Sequence, residues 1–197
     1  MSSSSATRVR VDYHQFLVLD EDGPVVDTDE VDASITGLVA VCDGQVEILT
    51  GIHSGSVHVT VSSHHHPPTH DPGPWEEISE LSFPSPSGTL AVAALMHDLD
   101  EELPPLTTAG PGTYRLRVHV RGRDTAVDLT PDDVTEHYLI QCWPAEPTPP
   151  TIVRTGDTYG AHQRTRPLPD TTTTLGTPRG QDAQERENLR RSWQNDA

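Results

Sequence analysis

The chain has 197 residues and a formal net charge of −17, from 30 acidic and 13 basic residues, all of the latter arginine. Such acidity argues against unaided binding to nucleic acid or an anionic membrane, because both need clustered basic side chains. With 18 prolines and a hydrophobic fraction of 33%, only part of the chain should pack, so we predict one domain with tails.

The N-terminus lacks the apolar core of a signal peptide, and no stretch approaches the roughly 20 apolar residues of a membrane span. We therefore expect a cytoplasmic protein with a disordered segment at 1–7. Cys42 and Cys142 each fall in a predicted strand, without the spacing of a metal or redox motif. Both are predicted to be small buried apolar residues.

The first half of the chain predicts short strands. Residues 9–20 alternate well enough for one long strand, with one face formed by Val9, Val11, Tyr13, Leu17 and Leu19. An Asp-Gly step at 43–44, between apolar residues 38–42 and 46–50, predicts a hairpin because both residues tolerate positive φ. Residues 56–62 alternate strictly and predict a further strand.

Four more strands are predicted between residues 75 and 143. Residues 75–83 and 89–96 flank a turn in which Gly88 should have a positive φ. Residues 113–121 alternate apolar side chains with arginine and histidine, which indicates a strand with one core face and one cationic face. Residues 136–143 are apolar on both faces, which predicts a more central neighbouring strand.

About eight short strands and no long helical pattern favour an all-β fold, an antiparallel two-sheet β-sandwich over residues 8–145. A barrel is the alternative architecture. Residues 146–197 are rich in proline, threonine and charge, so we predict a mostly disordered tail. Within it, residues 181–195 have the composition of a short helix.

A histidine-rich tract at 64–71 is the candidate metal site, since imidazole and carboxylate groups suit zinc, nickel or copper. Adjacent histidines in a proline-rich loop point in different directions and lose entropy on binding, so we predict a solvated loop without a metal or cofactor. No catalytic motif occurs in a confirming context, and the chain is not expected to be an enzyme.

The Tyr-His-Gln-Phe stretch at 13–16 is followed by the Asp-Gly hairpin at 43–44, a Gly-x-Tyr strand at 112–114 and a final strand at 137–143. This order resembles that of ComJ-type competence proteins, small inhibitors of a DNA-entry nuclease. The resemblance covers about residues 8–145 and implies a single domain that binds a nuclease.

Acidic connections at 20–32, 97–102 and 124–136 punctuate the strands. Fixed carboxylates can compete for a basic cleft, so the leading prediction is an acidic protein that binds a basic protein partner. The resemblance implies that this partner is a nuclease. The predicted partner-binding residues are Asp98, Asp100, Glu101, Glu102, Asp132 and Asp133. Two alternatives are a small-ligand or carbohydrate-binding β-sandwich, which the aromatic fraction of 5% disfavours, and a metal-binding protein or enzyme that uses the histidine tract.

Overall fold

The computed structural model describes residues 3–21, 23, 32–42, 45–95 and 103–166. These residues form ten strands in two sheets and one short helix, so the all-β prediction is confirmed, with ten strands where about eight were expected. In chain order the elements are β1 Ser3–Val11, β2 Gln15–Asp20, β3 Val39–Cys42, β4 Gln45–Leu49, β5 Gly55–Ser63, β6 Glu77–Ser85, β7 Leu90–Ala93, β8 Gly112–Arg121, β9 His137–Pro144, β10 Thr151–Arg154 and α1 Thr158–Thr165. The chain divides into two compact units, and Met1–Arg166 contains all the described residues.

The larger sheet has the strand order β1-β5-β9-β8-β6-β10, and the smaller one has the order β3-β4-β2-β7. The predicted hairpin is confirmed as β3 and β4, which pair antiparallel. Neighbouring strands are antiparallel except β5 and β9, which run parallel from His58↔His137 to Ser63↔Cys142. The prediction of a purely antiparallel fold is wrong at this pair, because the long connection between the two strands supplies the crossover that parallel pairing needs.

The predicted first strand is two strands in different sheets. Tyr13 and His14, with φ of 52° and 64°, turn the chain from β1 of the larger sheet into β2 of the smaller one. The predicted common face is therefore wrong: Val9 and Val11 are in the main core, whereas Leu17 packs in a separate cluster on the other side of β2. The two-residue turn interrupts the alternation of faces. Residues before and after it that look equivalent in a period-two pattern therefore lie on different faces.

The N-terminal segment is also more ordered than predicted. Pairing of β1 with β5 begins at Ser3↔Ser63, so the segment expected to be disordered is strand from Ser3 onward. The hydrogen bonds between the two strands are made by backbone N–H and C=O groups. A serine-rich segment has the same backbone groups as an apolar segment and can pair equally well. The main core lies between residues of both sheets, with Phe16 and Tyr138 in edge contact at 5.1 Å between ring centroids.

The expected domain end at residue 145 falls short of the observed one. β10 pairs with β6, and the Arg115 guanidinium donates to the carbonyl oxygens of Thr148 and Pro149 at 3.0 and 3.2 Å. Asp157 is buried against Arg123. Polar contacts to buried arginines hold this segment, so its low apolar content was misleading. The helix expected at 181–195 lies outside the described residues.

The outer face of β8 carries the arginines as predicted, but it is covered and its arginines pair with an acid of the neighbouring strand. Arg115 and Arg117 are each 5% exposed and both donate to Glu80 of β6. Arg117 also donates to the carbonyl oxygen of Pro68 at 3.2 Å, and the Trp75 ring lies 5.4 Å from that of His119. The histidine and proline loop therefore packs over the sheet, which the alternation of β8 alone could not reveal.

Candidate functional site

Three segments distant in sequence meet at one end of the described domain. The backbone N–H of His14 donates to the His53 carbonyl at 3.0 Å, and that of His53 donates to the Leu129 carbonyl at 2.8 Å. The N–H of Asp128 donates to the Gly51 carbonyl at 3.0 Å. We call the surface formed by residues 12–14, 51–54 and 124–135 the loop end.

Backbone strain is concentrated at the loop end. Among the described residues, the non-glycine positions with positive φ are Tyr13, His14 and Asp128, the last with φ of 59°. Each such residue costs on the order of 1–2 kcal/mol relative to an ordinary conformation. Strain of this kind persists only where the surroundings hold it, and it is enriched at binding and catalytic sites.

Tyr13 is displayed by this strained turn. Its side chain is 69% exposed, and its ring contacts that of His53 edge-on at 5.6 Å between centroids. The His14 ring lies 5.0 Å from that of His53 and is stacked near Tyr159 of α1 at 6.4 Å. The Tyr13 ring thus packs against His53, which in turn contacts His14. The exposed side of the Tyr13 ring can contact another molecule.

A buried carboxylate holds the middle segment in place. Glu136 accepts from the backbone N–H of Ile52 at 2.7 Å and of Gly51 at 3.2 Å, and from the Tyr138 hydroxyl at 2.6 Å. Burial raises the pKa of Glu136, and these donors oppose the rise. Glu136 is part of the acidic 124–136 connection, but its role is to position residues 51–54 rather than to meet a partner.

Helix α1 is attached to the loop end by two further carboxylates. Asp124 accepts from the backbone N–H groups of Thr158 and Tyr159 at 2.7 and 2.8 Å. Burial works against its charge, but these hydrogen bonds prevail and lower the pKa of Asp124. Asp157 caps the helix through Gly160 N–H at 2.8 Å and pairs with the fully buried Arg123.

The predicted site residues are only partly described. Asp132 and Asp133 lie exposed in the loop end, close in sequence to Asp128, whose exposed carboxylate is 3.4 Å from His14 Nε2. Asp98, Asp100, Glu101 and Glu102 lie outside the described residues, so that prediction is not tested.

The loop end also has an apolar part that the sequence pattern does not indicate. Leu129 and Val127 are 59% and 39% exposed, on the same loop as the acids, and Tyr13 is more exposed than either. The alternation of the sequence continues through Tyr13 and predicts that it lies on the core face of one long strand. The signal that could have found it is Gln15, a polar residue that interrupts the apolar pattern directly after the turn.

The histidine tract contributes no metal centre within the described residues, where no group of three or more potential ligands comes together. His64 Nε2 lies 2.9 Å from the Ser62 hydroxyl, and His65 and His66 are exposed. Asp71 accepts from Trp75 Nε1 at 2.7 Å, which fixes the loop on the sheet. Cys142 is buried, and burial raises the pKa of its thiol to about 12; the side chain of Cys42 lies outside the described part.

No family model and no curated protein matches the chain. Two solved structures are similar to it. The crystal structure of ComJ, inhibitor of the DNA degrading activity of NucA, from Bacillus subtilis, is 17% identical over 74% of this chain and 99% of that one, with a TM-score of 0.52. A protein described as crocagin biosynthetic gene J is 15% identical over the same shares, with a TM-score of 0.48. None of the described helices is long and apolar enough to cross a membrane. The described domain has a ComJ-like fold.

Proposed function

We propose that this chain is a non-enzymatic protein that binds and restrains a basic protein, a nuclease in the first instance, through its loop end. ComJ, whose fold the domain resembles, is an inhibitor of the DNA degrading activity of NucA. The observation that carries the proposal is the strained turn that holds Tyr13 outward, beside a loop with exposed carboxylates. Tyr13 and His14 are the central residues of a two-residue turn that the Gln15 N–H closes by donating to the Asp12 carbonyl at 3.3 Å. Turns with positive φ at both central positions ordinarily carry Asn, Asp or Gly, so an exposed tyrosine there has a conformational cost that contact with a partner would explain.

The chemistry of the loop end suits a basic partner. Nuclease clefts carry positive charge because they bind phosphates, and the exposed carboxylates of Asp128, Asp132 and Asp133 can occupy such a cleft in their place. Tyrosine is a frequent anchor in protein interfaces, because its ring is large and rigid and its hydroxyl can still bond. Tyr13 would supply affinity, while the carboxylates would supply steering and specificity.

The test uses the full chain as bait in a lysate of its native host. Two variants alter the loop end, Tyr13→Ser and the double variant Asp132→Asn with Asp133→Asn. The matched control is Glu21→Gln with Glu146→Gln, which removes the same charge from exposed residues elsewhere. The captured protein is then purified, and its DNA cleavage is measured with and without each form of the chain.

We expect the wild type and the control to retain a partner and to suppress its DNA cleavage at equimolar amounts. Each loop-end variant should bind it at least about tenfold more weakly, since hot-spot residues typically contribute more than 1 kcal/mol. A partner held equally by all four forms would place the interface elsewhere. Undiminished DNA cleavage in the stoichiometric complex would refute inhibition.

A further inference from the structure

Four basic side chains line up across the larger sheet. In the ladders Arg8 of β1 is opposite His58 of β5, His58 is opposite His137 of β9, and His137 is opposite Arg121 of β8. Residues directly opposite each other share a face of the sheet. Their sequence neighbours Val9, Val57, Tyr138 and Val120 belong to the main core. The four basic residues, named here the basic row, therefore face outward.

The basic row is compact and accessible. The His58 and His137 rings lie 5.5 Å apart between centroids, and the two arginines flank them on the outer strands. Neighbouring strands are about 4.8 Å apart, so the four residues span roughly 15 Å. The side chains of Arg8 and Arg121, at the two ends of the row, can reach a group bound above the two histidines. Arg8 is exposed and the other three residues are half-buried.

The charge of this row is not neutralised locally. Within the part of the chain that the structure describes, neither Arg8 nor Arg121 forms an ion pair with a carboxylate. The buried arginines behave differently: Arg115 and Arg117 share Glu80. The nearby Glu76 carboxylate is engaged by the backbone N–H of Gly122 at 2.7 Å. In a chain of net charge −17, two arginines without a carboxylate partner among the described residues are not explained by composition.

We propose that the basic row is a binding site for a phosphate group, held between the imidazoles of His58 and His137 and flanked by the guanidinium groups of Arg8 and Arg121. Imidazole N–H groups donate to phosphate oxygens, and guanidinium groups add charge-assisted, forked hydrogen bonds. The site lies on the sheet face rather than on the loop end, so it does not depend on the proposed partner.

Phosphate binding at the basic row should be linked to protonation of His137. Partial burial lowers the pKa of His137, and the charge of Arg121 and the presence of His58 lower it further. The groups that face the two imidazoles are Arg8 and Arg121 in the row itself, and Arg10, Ser56, Thr60, Leu139 and His119 in the flanking rows of the four strands. Two acids lie beside them: Asp12 pairs with Arg10, and Glu76, next to Arg121 on the far side of β8, accepts from the Gly122 N–H. Neither acid is paired with Arg8 or Arg121, so a bound anion supplies negative charge next to His137 and favours its protonated form. Binding should therefore take up a proton and strengthen as the pH falls.

The test follows the imidazole C–H resonances of the full chain, labelled in histidine, during titration with four probes. Sulfate serves for the pH dependence because its own charge is constant over the range used. Inorganic phosphate, thymidine monophosphate and a dinucleotide with a single phosphodiester distinguish the source of the phosphate group. The variants are Arg121→Gln and the double variant His58→Gln with His137→Gln, and the matched controls are Arg166→Gln and His65→Gln, both exposed positions.

We expect saturable shifts at His58 and His137 but not at His65, with sulfate bound about threefold to tenfold more tightly at pH 6.5 than at 7.5 for one proton taken up. The change Arg121→Gln should weaken binding about tenfold, and the histidine double variant should abolish it, while both controls bind like the wild type. Nucleotide bound more tightly than inorganic phosphate identifies a nucleotide ligand, and equal affinity identifies a bare phosphate.

Three results would overturn the proposal. One is the absence of shifts at His58 and His137 with every probe up to about 50 mM. Another is an Arg121→Gln variant that binds as well as the wild type. The third is a shift at His65 that follows the same titration curve, because it would indicate a general effect of ionic strength.

Discussion

The buried pair of Arg123 and Asp157 gives the sharpest stability prediction. Arg123 is completely buried and donates through Nε and Nη2 to the two Asp157 oxygens at 2.6 and 2.9 Å. Its remaining donor, Nη1, is 2.9 Å from the Gly37 carbonyl oxygen. The substitution Asp157→Ala removes both charged acceptors and leaves a guanidinium that cannot shed its proton.

The magnitude follows from two losses. A buried ion pair deprived of one partner costs about 3–5 kcal/mol, because the remaining charge stays buried without compensation. Asp157 also accepts from Gly160 N–H at the start of α1, and loss of such a cap costs about 1 kcal/mol. The sum is about 4–6 kcal/mol, which is a large part of the 5–15 kcal/mol that typically stabilises a domain.

Urea unfolding measured by tryptophan fluorescence checks this value. With a slope of roughly 2 kcal/mol per molar urea, the midpoint of Asp157→Ala should fall by about 2–3 M. The variant Arg123→Met combined with Asp157→Ala should be more stable than Asp157→Ala alone, because no charge is then left buried. The control Arg10→Ala breaks an exposed ion pair and should cost less than about 1 kcal/mol. A loss below about 1 kcal/mol for Asp157→Ala, or a double variant less stable than it, would refute the reasoning.

Three further predictions concern stability. A chain ended after Pro144 should unfold at far lower urea than one ended after Arg166, since only the latter keeps Asp157 and β10; equal midpoints would contradict this. Burial lowers the pKa of His119 to about 4, below its unfolded value, so stability should be full above pH 6.5 and fall by up to roughly 3 kcal/mol towards pH 4. The variant His119→Gln should flatten that pH dependence in urea titrations, and an unchanged slope would argue against it. Gly122 has φ of 91° and no room for a Cβ, so Gly122→Ala should lower the melting temperature by several degrees, whereas Gly112→Ala, with open space around it, should not.

Local patterns predicted the elements whose neighbours in space are also neighbours in sequence. The Asp-Gly hairpin is one such element, because turn chemistry and strand alternation act over a few residues. The alternation in β5 is another: Val57, Val59 and Val61 are buried while His58 and Thr60 are not fully so. Gly88 has the expected positive φ of 82°.

Predictions failed where distant segments decide burial. Arg115 and Arg117 alternate with apolar residues as an exposed face would, yet the loop at 64–75 and the carbonyls of residues 148–149 cover them. For the same reason, the sequence predicts only part of the candidate site. The carboxylates of Asp132 and Asp133 are visible as an acidic loop, whereas the exposure of Tyr13 depends on a turn that only the pairing of β1 and β2 with different sheets reveals.

The parallel pairing of β5 with β9 determines the order in which the larger sheet can assemble. His58 and His137 are paired although they are about 80 positions apart, so closing this contact costs far more chain entropy than closing a hairpin. During synthesis β1 and β5 can pair early, but one edge of β5 stays open until residue 144 has left the ribosome. An open strand edge invites pairing with other chains. The yield of folded protein should therefore depend on how quickly residues 64–144 are made.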